Sequence, residues 1–96
     1  MRLHALVMDS RDNVATAVHI LKKDETVSIK VGKNTTRVVP QNDIPFGHKL
    51  AIKDIGQGEK IVKYGETIGQ AISMIYKGEH VHVHNVEGIR GRGDRT

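Results

Sequence analysis

The chain has 96 residues, enough for one domain with a modest core, and only 38% of them are hydrophobic and 3% aromatic. It contains no cysteine, which excludes disulfides, thiolate metal sites and a cysteine nucleophile; any metal must be held by His, Asp, Glu or backbone oxygen. The net charge of +4 is spread out except at Arg90, Arg92 and Arg95, where no aromatic residue stands ready to stack on a base, so nucleic-acid binding is not expected.

In chain order, Leu3, Ala5 and Val7 alternate with other residues, as in an opening strand. The start, MRLHALVMD, is too short and interrupted for a signal peptide, and no run reaches the ~20 apolar residues of a membrane span. A cytoplasmic protein without a membrane partner is expected. Asp12 or Asn13 is placed to cap a short helix over Val14–Leu21. Val27, Ile29 and Val31 alternate as a half-buried strand, Lys33-Asn34 reads as a turn, and Arg37–Val39 as a brief strand ended by Pro40. Ile44-Pro45-Phe46-Gly47 is a constrained bend, because Pro45 fixes its own φ and drives Ile44 towards an extended form. Lys60–Tyr64 and Thr67–Ile75 read as further strands. The whole describes a mostly β domain with one short N-terminal helix.

Three segments share a pattern: AVHILKKDETV from Ala17, AIKDIGQGEKI from Ala51 and AISMIYKGEHV from Ala71. Each runs Ala, an aliphatic four residues on, then Gly or Asp followed by Glu, and a second aliphatic. The reading is a strand or bend, a tight turn and a new strand, with Gly58, Gly78 and Asp24 at the turns.

The chemistry-bearing residues concentrate in GEHVHVHN, Gly78–Asn85. On a strand, His80, His82 and His84 share one face and Val81 and Val83 the other. Residues two apart are separated by roughly 6.5 Å along a strand, so two imidazoles can tilt onto one ion but three along one strand hardly can. A metal there would take two of them, His80 and His82, plus ligands from elsewhere. Imidazoles are equally suited to proton transfer, and a plain solvated face remains the alternative. His48, after the stiff IPFG bend, is either aimed at the same site or simply on the surface. Asp12-Asn13 offers a carboxylate and an amide, or only a helix cap. Tyr64 and Glu66 read as structural, and His4 and His19 carry no motif. No nucleophile elbow, phosphate-binding glycine loop or HExxH helix is present, so a complete active site is hard to assemble from this chain.

DNVATAV (12–18), IPFGHKLAIKDI (44–55), KYGETIG (63–69) and GEHVHVHN (78–85) occur in the order found in the altronate and galactarate dehydratase family. Over nearly its whole length the chain resembles the small N-terminal SAF-type domain of those enzymes. The resemblance implies a β-clip fold over residues 1–87, followed by a flexible basic tail, residues 88–96. It implies a lyase that removes water from a sugar acid such as altronate or galactarate, or sulfite from sulfolactate, with a divalent metal, Fe2+ or Mn2+. Since the sequence stops at GIRGRGDRT, it resembles the small subunit of a split dehydratase or sulfo-lyase, inactive alone and completed by a large catalytic subunit that holds most of the metal site; a homo-oligomer is also open. Carried over by position are Asp12, Asn13, His48, His80, His82, His84 and Asn85, which the resemblance implies line a site shared with the large subunit without dividing them between metal and substrate; the expected division is His48, His82 and His84 for catalysis, Asp12, Asn13, His80 and Asn85 for substrate, and His80 and His82 for metal. The alternative is a non-catalytic ligand-binding or assembly module.

Overall fold

A computed structural model describes residues 3–88; the tail expected over residues 88–96 lies, beyond Gly88, outside the described residues. It consists of short strands: β1 (Ala5–Val7), β2 (Val14–Ala17), β3 (Val27–Val31), β4 (Asn34–Val38), β5 (Lys49–Ala51), β6 (Lys60–Lys63), β7 (Glu66–Ala71), β8 (His80–Val81) and β9 (Val86–Glu87). One sheet has the order β4-β3-β1-β2-β5-β8 and a second the order β6-β7-β9. The β1–β3 pair is parallel and the other ladders are antiparallel. No helix of the structure is long and apolar enough to cross a membrane.

The helix expected over Val14–Leu21 is absent; the segment begins as β2, paired with β1 and β5. Val14, Thr16, Val18 and Ile20 are β-branched at every second position, a period-two pattern that suits a pleated strand better than a helix. Strand β2 also lies between two cores. Ala15 and Ala17 join Leu21, Ile29, Ile44 and Leu50 in one, while Val14 joins Ala51, Ile55, Ile61, Ile75 and Val81 in the other. A helix presents one stripe to one core; alternate residues of a strand can serve two.

Several boundaries also move; the brief strand expected over Arg37–Val39 is β4, which runs from Asn34 to Val38. The first hairpin turns at Gly32-Lys33, one residue earlier than expected. β6 ends at Lys63, because Tyr64 and Gly65 both have positive φ (55° and 74°), which is a type I′ turn matched to strand twist. β7 ends at Ala71, and Ile75 lies beyond it in a bend.

The repeated pattern becomes the central device of the fold, and it occurs four times among the described residues. Its turns are Lys22–Glu25, Pro45–His48, Gly56–Glu59 and Tyr76–Glu79, each closed by a hydrogen bond from the fourth amide to the first carbonyl, at 3.2, 3.0, 3.0 and 2.9 Å. The third residue of each turn has positive φ: Asp24 69°, Gly47 84°, Gly58 87° and Gly78 92°, as a type II turn requires. The bends interlock in pairs. Leu21 and Ile44 exchange two backbone hydrogen bonds (2.9 and 2.8 Å), and so do Ile55 and Ile75 (2.7 and 2.8 Å). The positive-φ amides reach across each pair: Asp24 to the Pro40 carbonyl, Gly47 to Ala17, Gly58 to Ala71 and Gly78 to Ala51. Two clasps of the same construction therefore hold the two cores.

Candidate functional site

The fourth copy of the bend was hidden because Pro40 stands at its Ala position and His48 at its Glu position. In the second clasp the turn glutamates each satisfy a backbone amide. Glu59 Oε1 accepts from the Gly56 amide (3.0 Å) and Glu79 Oε1 from the Tyr76 amide (2.7 Å). The corresponding residue for position 48 is Pro45, which has no amide hydrogen to satisfy. Position 48 is thereby free of the structural duty that fixes Glu elsewhere, and it carries an imidazole.

His48 leads into β5, which pairs antiparallel with β8 in the register Lys49↔Val81 and Leu50↔His80. This brings His48 beside His80 and His82. The rings of His48 and His82 stack at 4.2 Å between centroids, His48 and His80 at 5.1 Å, and His48 Nδ1 lies 2.9 Å from His80 Nε2.

GEHVHVHN is not one strand. β8 ends at Val81, and His82–Asn85 form a turn. Asn85 makes that turn: its Oδ1 accepts from the His82 amide (3.0 Å), its Nδ2 donates to the His80 carbonyl (2.8 Å), and its own amide donates to the His82 carbonyl (3.1 Å). The expected common face for Val81 and Val83 is overturned, since Val81 is buried and Val83 is 80% exposed. His84 rides on the turn, exposed, with its ring tilted 40° and 5.2 Å from that of His80.

The other carried-over residues lie against a different element. Asp12 and Asn13 are buried and bind the β6–β7 hairpin. Asp12 Oδ1 accepts from the Gly65 amide (2.8 Å) and Oδ2 from the Asp9 amide (3.2 Å). Asn13 accepts from the Val62 amide and donates to the Lys60 carbonyl, both at 2.8 Å, where a bulge at Ile61/Val62 interrupts the ladder. They cap no helix.

Burial, reinforced by the neighbouring His48, His84, His82 and Lys49, pushes His80 down to about 4, and burial with His48, Lys49 and His84 lowers His82 as well. Burial, then Lys63, lowers Lys49. At neutral pH His80 and His82 are therefore uncharged, the form that ligates a metal. One ligating nitrogen from each of His48, His80 and His82 lies within 4.8 Å of the others. Cis nitrogens on an ion with metal–nitrogen bonds of about 2.1 Å stand roughly 3 Å apart. The His48–His80 pair stands at that separation because it is hydrogen-bonded, so an ion would displace the proton held between the two nitrogens, and His82, stacked on His48, would turn to present the third. An all-imidazole set suits iron or zinc better than manganese, magnesium or calcium.

Beside His82 opens a cavity of about 260 Å3 with Lys49 in one wall and Ile61, Val81, Val83 and Val86 in the others. Lys49 stands inside the IPFGHKLAIKDI segment, where nothing singled it out; its place in the wall follows from the β5–β8 register.

Residues 3–88 match the model of a protein family, the altronate/galactarate dehydratase SAF domain. Among curated proteins, (2R)-sulfolactate sulfo-lyase subunit alpha of Chromohalobacter salexigens is 40% identical over 71 residues, 74% of this chain and 66% of that subunit. The subunit of the same name in Paracoccus pantotrophus is 43% identical over 54 residues, 56% of this chain and 81% of that subunit. Altronate dehydratase of Escherichia coli is 39% identical over 85 residues, 88% of this chain but 15% of that enzyme. The chain thus spans just under two thirds of the first of these relatives and a small part of the last.

Proposed function

The chain belongs to the altronate/galactarate dehydratase SAF-domain family, and on that premise we propose that it is the small subunit of a metal-dependent lyase, completed by a separate large catalytic subunit. The substrate is a 2-hydroxy acid: a sugar acid such as altronate or galactarate, or sulfolactate. Relatives named for those activities support this reading, and so does the short, bent, interlocked construction expected of a β-clip. The observation that carries it is the trio of imidazole nitrogens from His48, His80 and His82.

These three side chains would hold a divalent ion, Fe2+ before Mn2+ on the chemistry of the donors. The bound ion would supply Lewis-acid polarisation of the departing group. His84 stays outside the set, exposed and next to His80, and is placed to give a proton to the leaving group or take one from the carbon beside the carboxylate. Asn85 holds the turn that carries His82 and His84. Asp12 and Asn13 fix the β6–β7 hairpin through their side-chain carboxylate and amide. No carboxylate joins the three histidines in that ligand group among the described residues, which leaves further ligand positions to another chain.

The test is co-expression with a dehydratase-like large chain and assay on altronate, galactarate and sulfolactate with added Fe2+ or Mn2+. Turnover is expected only from the complex. Full turnover by the 96-residue chain alone, or an undiminished rate in a complex carrying His82→Ala, would refute the reading.

A further inference from the structure

The histidine site has a neighbour that the proposed chemistry has not used. Lys49 lies in β5 between β2 and β8, in register with Thr16 on one side and Val81 on the other. Its backbone is therefore fixed by ladders on both edges. The side chain is half-buried in the wall of the cavity that also borders His82. The opposing walls, Ile61, Val81, Val83 and Val86, are aliphatic and offer no polar atom from their side chains. Lys63, a second cation, acts on Lys49, and Lys49 forms no ion pair among the described residues.

A half-buried ammonium in a cavity that offers it no carboxylate partner is an incomplete arrangement. Burying an unpaired charge costs free energy, and an anion entering the cavity would recover it. Apart from Lys49 and His82 the side chains lining the cavity are aliphatic, so a charged head gains more there from the ammonium than a neutral polyol does.

We propose that Lys49 and this cavity form the anion subsite of the histidine centre, holding the carboxylate or sulfonate head of the acid substrate beside His82. The inference rests on the lyase reading for the identity of the acid, but its geometry belongs to this chain alone. Lys49 fixes where the charged head sits, so the hydroxyl carbons of a short acid fall towards His82 and its neighbours. Retaining charge at position 49 matters more than retaining shape, so arginine should substitute in part and glutamine should not.

The full chain, labelled at its Val methyls and His rings, is titrated with (2R)-sulfolactate, galactarate and glycerol. Wild type, Lys49→Gln and Lys49→Arg are compared, each with and without Zn2+ as a stand-in ion. Either acid should shift the Val81, Val83 and Val86 methyls of the wild type saturably, and glycerol should not. Lys49→Gln should weaken acid binding at least tenfold, and Lys49→Arg should restore most of it. The stronger acid names the head group, sulfonate or carboxylate. Equal binding by wild type and Lys49→Gln, equal binding of glycerol, or no acid binding by the wild type would overturn the proposal. The Zn2+ arm separates the two readings. His-ring shifts on metal addition in every variant uphold the histidine centre whatever becomes of Lys49, and their absence in the wild type sinks the metal reading while the acid titration still judges the subsite. Retained dispersion of the methyl spectrum shows that each variant is folded; should Lys49→Gln fail that check, Lys49→Met takes its place.

Discussion

The two clasps are built alike and have diverged differently. The second, Ile55 with Ile75, keeps Ala, Gly and Glu at every corresponding place, and its glutamates close their own turns. The first, Leu21 with Ile44, has Asp24 where Gly stands, Pro40 where Ala stands and His48 where Glu stands. The regular clasp is a scaffold; the irregular one exchanged regularity for a functional side chain. Pro45 made the exchange cheap by removing the amide that a glutamate would otherwise satisfy. The site forms where the clasps meet, from the last residue of one turn, His48, and residues just past another, His80 and His82.

This comparison is most severely tested at the turn glycines. A Cβ at Gly78 would meet the Val39 carbonyl oxygen, a backbone atom that cannot move aside, at a positive φ of 92°. At Gly58 the φ is similar, 87°, but the space is open. Gly78→Ala is therefore expected to cost about 3 kcal/mol or more and Gly58→Ala only about 1–2 kcal/mol, measured by urea unfolding. Equal costs would mean that the Val39 carbonyl does not crowd Gly78 as the structure has it.

A smaller effect sharpens the same point from the irregular side. Asp24 is a non-glycine residue held at φ 69°, and its turn partner Lys22 closes the bond at 3.2 Å, the longest of the four. Asp24→Gly should stabilise the chain by up to about 1 kcal/mol, because the left-handed penalty is removed at a modest entropic cost. A destabilised variant would show that the aspartate side chain has a role of its own.

The smallest effect is the pH dependence of the metal-free protein. The His80 value falls from 6.5 in the unfolded chain to about 4 in the folded one, with His82 shifted the same way. Between those values the unfolded chain binds a proton that the folded chain does not, so stability should fall as pH drops from about 6.5 to about 4 and be unaffected above it. Because the cluster is part exposed, the loss is modest. With a chelator present, the urea midpoint of the wild type should drop more between about pH 7 and pH 5 than that of His80→Gln; identical drops would exclude the cluster as its cause.

Much of the fold was legible in alternation. Val27, Ile29 and Val31 form β3 as read, and three of the four bends were visible as Ala–Ile–Gly–Glu spacing. The helix over Val14–Leu21 was misread because Asp12 and Asn13 look like caps, whereas their side chains serve a hairpin some fifty positions away in the chain. The nearness of His48 to GEHVHVHN could be suspected, but the register that creates it could not. The position of His84 and Val83 was illegible for a local reason: Asn85 bends the chain at His82, and an alternating pattern does not reveal where its strand stops. Lys49 was missed because its meaning depends on a cavity that exists only once β5, β6, β7, β8 and β9 are assembled.

The central claim is that His48, freed by Pro45 from the turn-closing duty of its glutamate counterparts, joins His80 and His82 to hold a divalent ion. Anaerobic titration of the chain with Fe2+, followed through the His-ring signals, tests it directly in the wild type and in His48→Ala. One equivalent should shift all three rings in the wild type, while His48→Ala should retain its urea midpoint and bind at least tenfold more weakly. Equal affinity in the two proteins, or no ring shifts in the wild type, would contradict it.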